Sequence, residues 1–353
     1  MFFKKMFFLA CIFLLTFTMV SCAPAGNTDT IADERETVEG EIVDKLEKTI
    51  TLSFTGGLPV GSPVTDLQYN FADKVKALTD GRVEIETYVG GELFDTVAGV
   101  DAVVTGAADL ATCSEGHFAG YSPFFGFTEF FWMVRDFEHW DRVRDDVNPI
   151  LSSIFENHGV KLLATYLGGE CSIGANKPIR SLEDIKGLKI RGATGPIAKG
   201  LELLGASPVN LAPGEVYDAL ARNALDGVAT LSASMYTRKF YEVVDYFIAP
   251  VWNPVWVVVM NIDTWNSLPE DIQELILEAG EKAEEESRQA LKNYDEEAWD
   301  IIADNGKEIY FLSSEEIPIW SEQVEPIYNN WVENCKGVGY ENEAKEILNI
   351  LNR

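Results

Sequence analysis

The stretch SLEDIKGLKIRGATGPIAKGLELLGASPVNLAPGEVYDALARNALDGVATLSAS, Ser181–Ser234, decides the reading of this chain. Leu188 and Ile190 have the pattern of a buried strand, and that strand carries a cation, Arg191. A loop and a helix follow, then a second helix, then Asp226-Gly227 as a turn into another apolar strand. An unpaired charge in a buried strand is costly, so Arg191 needs an anionic partner. Either an internal Asp or Glu supplies it, or a ligand carboxylate gripped by the guanidinium fork does.

On the N-terminal side, Thr49–Phe54 alternates as a strand and breaks at the Gly-rich turn Gly56–Pro63. The turn is either a plain strand-to-helix connection or a set of backbone N–H groups for an anion. No Gly-Lys-Ser/Thr or GxGxxG spacing makes it a phosphate loop. Leu67, Phe71, Val75 and Leu78 are spaced for a helix over Asp66–Leu78. Strands at Val83–Val89 and Leu110–Cys113 flank a helix at Val97–Thr105, and the second strand ends in Ser114-Glu115-Gly116. Such alternation predicts a parallel sheet covered on both faces. The aromatic stretch Pro123–Trp132 is core packing with a lobe-crossing strand, or else an apolar wall for a ligand. Further along, a helix is expected over Asp136–His158 and a strand over Val160–Tyr166. A helix over Ser234–Asp245, a strand with a turn over Ala249–Asn261, and a long helix beginning at Trp265 come next. The strand Lys307–Leu312 and a final helical region complete the chain.

Residues 100–114 (VDAVVTGAADLATCS) weakly repeat in 216–232 (VYDALARNALDGVATLS). The repeat implies two similar lobes, each ending a strand in small hydroxyl residues. Open α/β sheets bind ligands at the carboxyl ends of their strands. Thr112 and Ser114 would then face Thr230 and Ser232 across a cleft; the alternative is that these hydroxyls bond to backbone.

With 353 residues the chain has room for about two domains. A formal charge of −29 makes nucleic acid a poor partner, and 46% apolar residues mark a folded rather than a disordered chain. Residues 1–21 read as a lipoprotein signal, with Lys4 and Lys5 ahead of an apolar core that ends at Ser21-Cys22. The ending resembles a bacterial lipoprotein cleavage box, which implies Cys22 as the lipidated N-terminus, the alternative being an ordinary signal cut elsewhere; residues 22–47 are expected to be a flexible tether. Cys113, Cys171 and Cys335 remain, an odd number without metal-site spacing. Cys113 and Cys171 follow predicted strands as reduced hydrophobes, a disulfide, or one reactive thiol. There is no nucleophile elbow, HExxH, P-loop or CxxC, so neither an enzyme nor a cofactor is expected.

Several blocks resemble one family in order and spacing. Phe71-Ala-Asp-Lys-Val75, Thr79-x-Gly-Arg-Val83, Gly91-Glu-Leu93, Leu182-x-Asp-x-Lys-Gly-Leu-Lys-Ile-Arg191, Leu204-Gly-Ala-Ser-Pro208, Glu215-Val-Tyr-x-Ala-Leu220, Phe240-Tyr-Glu-Val243 and Trp265-x-Ser-Leu-Pro-Glu270 are similar to substrate-binding proteins of TRAP transporters, the dicarboxylate-binding DctP type. The likeness runs over roughly residues 48–345. It implies a two-lobe, type II-like periplasmic-binding-protein α/β fold with a central hinge and a long lobe-spanning helix at about 262–300. Lobe I would comprise 48–168 plus 254–295, and lobe II 169–253 plus 296–353. The family's carboxylate-binding arginine falls on Arg191. Where sialate- and dicarboxylate-type members carry a second arginine, this chain has Cys171; where they carry an Asn, it has Ala229 and Thr230; a family acid near Ser114 corresponds to Glu115, shifted by one. With the second cation gone, a dianion would leave one charge poorly paired in a desolvated cleft. The expectation is therefore a monocarboxylate with an apolar body, framed by Phe118, Tyr236, Trp252 and Trp256. The protein would be lipid-anchored, in the periplasm or on the outer face of the cytoplasmic membrane, and would deliver the acid to a TRAP permease. Alternatives are a binding protein for an ABC importer or a sensor, and an enzyme on a two-lobe scaffold.

Overall fold

The computed structural model describes residues 49–353. The expected signal, the tether and Cys22 lie outside the described residues. In chain order, β1 (Ile50–Gly56) leads to α1 (Pro63–Leu78), β2 (Val83–Tyr88), α2 (Thr96–Thr105), β3 (Leu110–Ser114), α3 (Phe137–Asn157) and β4 (Val160–Leu167). The chain then enters β5 (Cys171–Ala175), β6 (Lys189–Arg191), α4 (Gly195–Leu203), β7 (Ser207–Val209), α5 (Val216–Ala221), β8 (Gly227–Leu231), α6 (Ser232–Thr237) and β9 (Tyr246–Trp252). It returns through β10 (Val255–Asn261), α7 (Ile262–Ser267), α8 (Glu270–Asp304), β11 (Glu308–Phe311), α9 (Ile317–Val324), α10 (Pro326–Gly337) and α11 (Glu341–Leu351).

Two sheets result, ordered β2-β1-β3-β10-β4 and β11-β9-β5-β8-β6-β7. Neither is purely parallel. β10 runs antiparallel to β3 and β4, and β5 antiparallel to β8 and β9. These are the two strands that follow the crossings between sheets, at 168–170 and 253–254. A strand entering from the crossing side must run against neighbours whose carboxyl ends point toward it. The cleft is therefore lined by the carboxyl ends of β3, β6 and β8 and by the amino ends of β5 and β10.

Each sheet buries both faces. In the first lobe, Ala111, Cys113, Val257 and Val259 pack with α3 on one side. Leu52, Phe54, Val258 and Met260 pack with α1 and α8 on the other. The resemblance implies that the last helices belong to lobe II, but α10 and α11 cover the first lobe: Ile327, Trp331, Cys335, Ile347 and Leu351 share its aromatic core. Trp331 Nε1 donates to Phe124 O at 2.9 Å. Helical spacing gives these residues an apolar stripe, and the phenylalanines of 124–130 offer it the matching surface.

The long helix is divided. Pro269 lacks an N–H and holds Leu268 extended, so the run over 262–300 becomes α7 and the 35-residue α8. At 1.5 Å per residue α8 is about 52 Å long. Ile272, Ile276 and Leu291 sit in the first-lobe core, and Trp299 and Ile302 in the second. Between them Asp295 accepts the backbone N–H of Glu170 at 2.7 Å, pinning the first crossing to the helix.

Two irregular segments differ from the sequence pattern and both shape the cleft. Helix α6 stops at Thr237 because Lys239 adopts φ 56°, whereas a helix over Ser234–Asp245 is predicted. Pro123–Trp132 forms turns rather than a strand. Its residues Phe124, Phe125, Phe127 and Phe130 enter the first-lobe core, while Phe131 and Trp132 enter the second.

Candidate functional site

The cleft between the lobes has a volume of about 520 Å³. Gly57, Asp95, Thr96, Ser114, His117 and Glu129 line it from the first lobe; Cys171, Arg191, Thr194, Ile197, Thr230 and Arg238 line it from the second; Trp252, Pro254 and Trp256 close it at the crossing.

Arg191 ends β6, held between β7 and β8, and is 7% exposed. Its only side-chain hydrogen bond among the described residues runs from Nε to Leu211 O at 3.1 Å. A guanidinium has five N–H donors, so most of its fork faces the cleft without a protein acceptor. Burial, and secondarily the nearby Arg238 cation, push its pKa down to about 10, which leaves it charged at neutral pH. Arg238 follows the last turn of α6 and lines the same cleft. It is half-buried, burial lowers its pKa, and no described carboxylate lies within ion-pair distance of it or of Arg191. The second cation thus exists, on a residue the sequence pattern assigns to the interior of a longer helix.

Glu129 is 2% exposed. Its Oε1 accepts from Ser114 Oγ at 2.5 Å, and its Oε2 accepts from Thr194 Oγ1. Ser114 ends β3 in the first lobe; Thr194 precedes α4 in the second and turns its hydroxyl to Glu129 rather than capping its own helix. The only sequence signal for Glu129 is an acid set among aromatics.

Glu115, the expected acid, points away from the cleft. Fully buried, it accepts from Gly126 N at 2.7 Å and Thr128 Oγ1 at 2.9 Å, and burial pushes its pKa up to about 8. Successive residues at a strand end face opposite sides, so Ser114 reaches the cleft and Glu115 the loop behind it. Phe118 is likewise core, packed on Phe155 and Phe125 at ring distances of 4.9 and 5.5 Å, and is not part of the lining. Tyr236 stacks on Tyr241; Ser234 and Arg238, one helical turn apart, are the residues of that segment which line the cleft. Thr112 is occupied by Tyr166 Oη and Ser232 is fully buried, so of the repeated hydroxyls only Ser114 and Thr230 face each other across the cleft.

Trp252 and Trp256 form the apolar wall. Trp252 stacks on Phe131 at 5.1 Å, and Trp256 lies over Gly168, where a Cβ would come within 2.2 Å of the indole. Cys171 sits in register with Leu231 and Trp252. Burial foremost, then nearby acids, raise its pKa well above the usual thiol range, so it lines the cleft as a small neutral hydrophobe. Cys113 pairs with Val257 in the core; both cysteines and Cys335 are free.

A deep cleft at strand ends, with arginines that meet no carboxylate among the described residues and with indole walls, has the geometry of a receptor for a small acid. The family model for bacterial extracellular solute-binding proteins, family 7 (DctP), matches residues 54–334. The chain belongs to this family. The C4-dicarboxylate-binding periplasmic protein DctP of Rhodobacter capsulatus is similar to it, 26% identical over 299 residues that make up 82% of this chain and 89% of that one. The sialic acid-binding periplasmic protein SiaP of Vibrio cholerae is 26% identical over 77% of this chain and 86% of its own. A crystal structure of a TRAP periplasmic solute binding protein from Ochrobactrum anthropi, its C-terminus bound in the ligand binding pocket, matches with a TM-score of 0.80 at 25% identity, over 86% of this chain and 95% of that one. Family 7 proteins are solute receptors and not enzymes.

Proposed function

We propose that this family 7 receptor captures a small organic acid of net charge −1 between its lobes and delivers it to a TRAP permease. The carrying observation is Arg191, a desolvated cation that lines the cleft with no carboxylate among the described residues to balance it. A ligand carboxylate supplies the missing acceptor as a charge-assisted, two-pronged bond. Arg238 removes the earlier reason for rejecting a dianion, but Glu129 restores the balance. Among the lining residues that are not exposed, two cations and one carboxylate sum to +1, matching one net negative charge on the ligand; Asp95, the other acid of the lining, is exposed and already accepts from Val97 N and Ala98 N. Trp252, Trp256 and Ile197 would cover its apolar body.

The two lobes would close about the crossings at 168–170 and 253–254, with α8 as the strut between them. Lipidation of Cys22 would tether the receptor outside the cytoplasmic membrane; it is supported by the Lys4–Cys22 pattern alone and is tested by labelling with a radioactive fatty acid, which Cys22→Ser should abolish.

The binding reading is tested by thermal shift and calorimetry with a panel of organic acids on wild type and Arg191→Ala. Ligand raises the midpoint by mass action. The variant should keep its unliganded midpoint within a few degrees and bind at least about 100-fold more weakly, a loss of about 3 kcal/mol. Equal responses in the two proteins would remove Arg191 from the site.

A further inference from the structure

Glu129 is a carboxylate in a cleft built for acids, and its placement is enforced. A Cβ at residue 116 would lie 2.2 Å from its Oε2, so a larger residue there would displace the carboxylate. The loop that carries it is held from behind by the Glu115 side chain, through Gly126 N and Thr128 Oγ1. Its partners among the described residues are two neutral hydroxyls, Ser114 and Thr194, with no cation in reach. A carboxylate offers about four acceptor sites; one on each oxygen is used, and Glu129 lines the cavity. When a ligand closes the cleft and displaces water, unpaired acceptor sites lose their solvation, and an acid with only apolar atoms there would leave them unsatisfied.

We infer that Glu129 is a specificity-determining residue and that the ligand is an organic acid carrying an O–H or N–H donor, directed at Glu129 while its carboxylate engages Arg191. This rests on the carboxylate-binding reading above and narrows it. A neutral hydroxyl keeps a monocarboxylate at the net charge of −1; an ammonium does so when the acid has two carboxylates.

The test uses the full chain and matched probes: butyrate and hexanoate against their 2-, 3- and 4-hydroxy derivatives, and glutarate against glutamate. Affinities are read by calorimetry on wild type, Glu129→Gln, Glu129→Leu and Arg191→Ala. In wild type at least one donor-bearing acid should bind more than ten-fold tighter than its parent. Glu129→Leu should reduce that ratio to about one. The isosteric Glu129→Gln can keep its contacts to Ser114 and Thr194; it should preserve most of the hydroxyl preference and lose the preference for glutamate over glutarate. Should Glu129→Leu fail to fold, the glutamate-to-glutarate ratio in Glu129→Gln decides. If parent and donor-bearing acids bind equally in wild type while Arg191→Ala abolishes both, the role of Glu129 is overturned and the carboxylate site stands. If Arg191→Ala changes nothing, or no acid binds, both readings fail.

Discussion

The two walls of the cleft are built differently. On the second-lobe wall, Arg191 is fixed by a strand paired on both sides and Arg238 by the end of a short helix; the wall is cationic. On the first-lobe wall, Glu129 sits on an irregular turn, located by glycine at 116 and by a second buried carboxylate behind it; the wall is acidic and rich in hydroxyls. The cationic wall supplies grip, common to any carboxylate, and the acidic wall supplies selection among carboxylates. Thr194 reaches across to Glu129, so the two walls are joined there.

If grip belongs to the second-lobe wall, Arg191→Ala should have the largest effect, as stated above. Arg238→Gln comes next. It removes a half-buried cation without a carboxylate partner among the described residues, so its loss should weaken binding about ten-fold by calorimetry, near 1.4 kcal/mol, and should weaken dicarboxylates more than monocarboxylates. An unchanged affinity for both classes would confine the grip to Arg191.

The smallest expected effect concerns the scaffold of the acidic wall. Burial raises the Glu115 carboxyl to about 8, and those of Glu170 and Glu284 to about 7. The folded chain therefore keeps protons that the unfolded chain releases above about pH 4.5, and stability falls as pH rises through the folded values. His139 acts in the opposite sense, since burial lowers it to about 4, but its contribution is complete by about pH 6.5. Between about pH 6.5 and 8 the thermal midpoint of the unliganded protein should drop by a few degrees, and Glu115→Gln should flatten the drop. A midpoint that rises over that range would contradict the buried-carboxyl account.

The same division explains what the sequence discloses. Arg191 is legible because a charge within Leu188-Lys189-Ile190-Arg191 violates the pattern of a buried strand, and the lobe-spanning helix is legible from its periodic apolar face. The direction of β5 and β10 is not, because strand sense depends on the crossings and not on local pattern. Arg238 is hidden because Lys239 adopts a left-handed conformation that no local signal marks, so the helix appears to continue past it. Glu129 is hidden because the reading of Pro123–Trp132 follows its aromatics, and side-chain direction in irregular turns has no period. Glu115 attracts attention by its spacing, yet it faces the opposite side of the strand end from Ser114.

A cleft with two arginines and one buried carboxylate selects a net single negative charge. Calorimetric titration of the wild-type chain with butyrate, 3-hydroxybutyrate, glutamate and succinate tests it most directly. The account predicts that 3-hydroxybutyrate or glutamate binds tighter than succinate, with the enthalpic signal lost in Arg191→Ala. Tightest binding of succinate would contradict it.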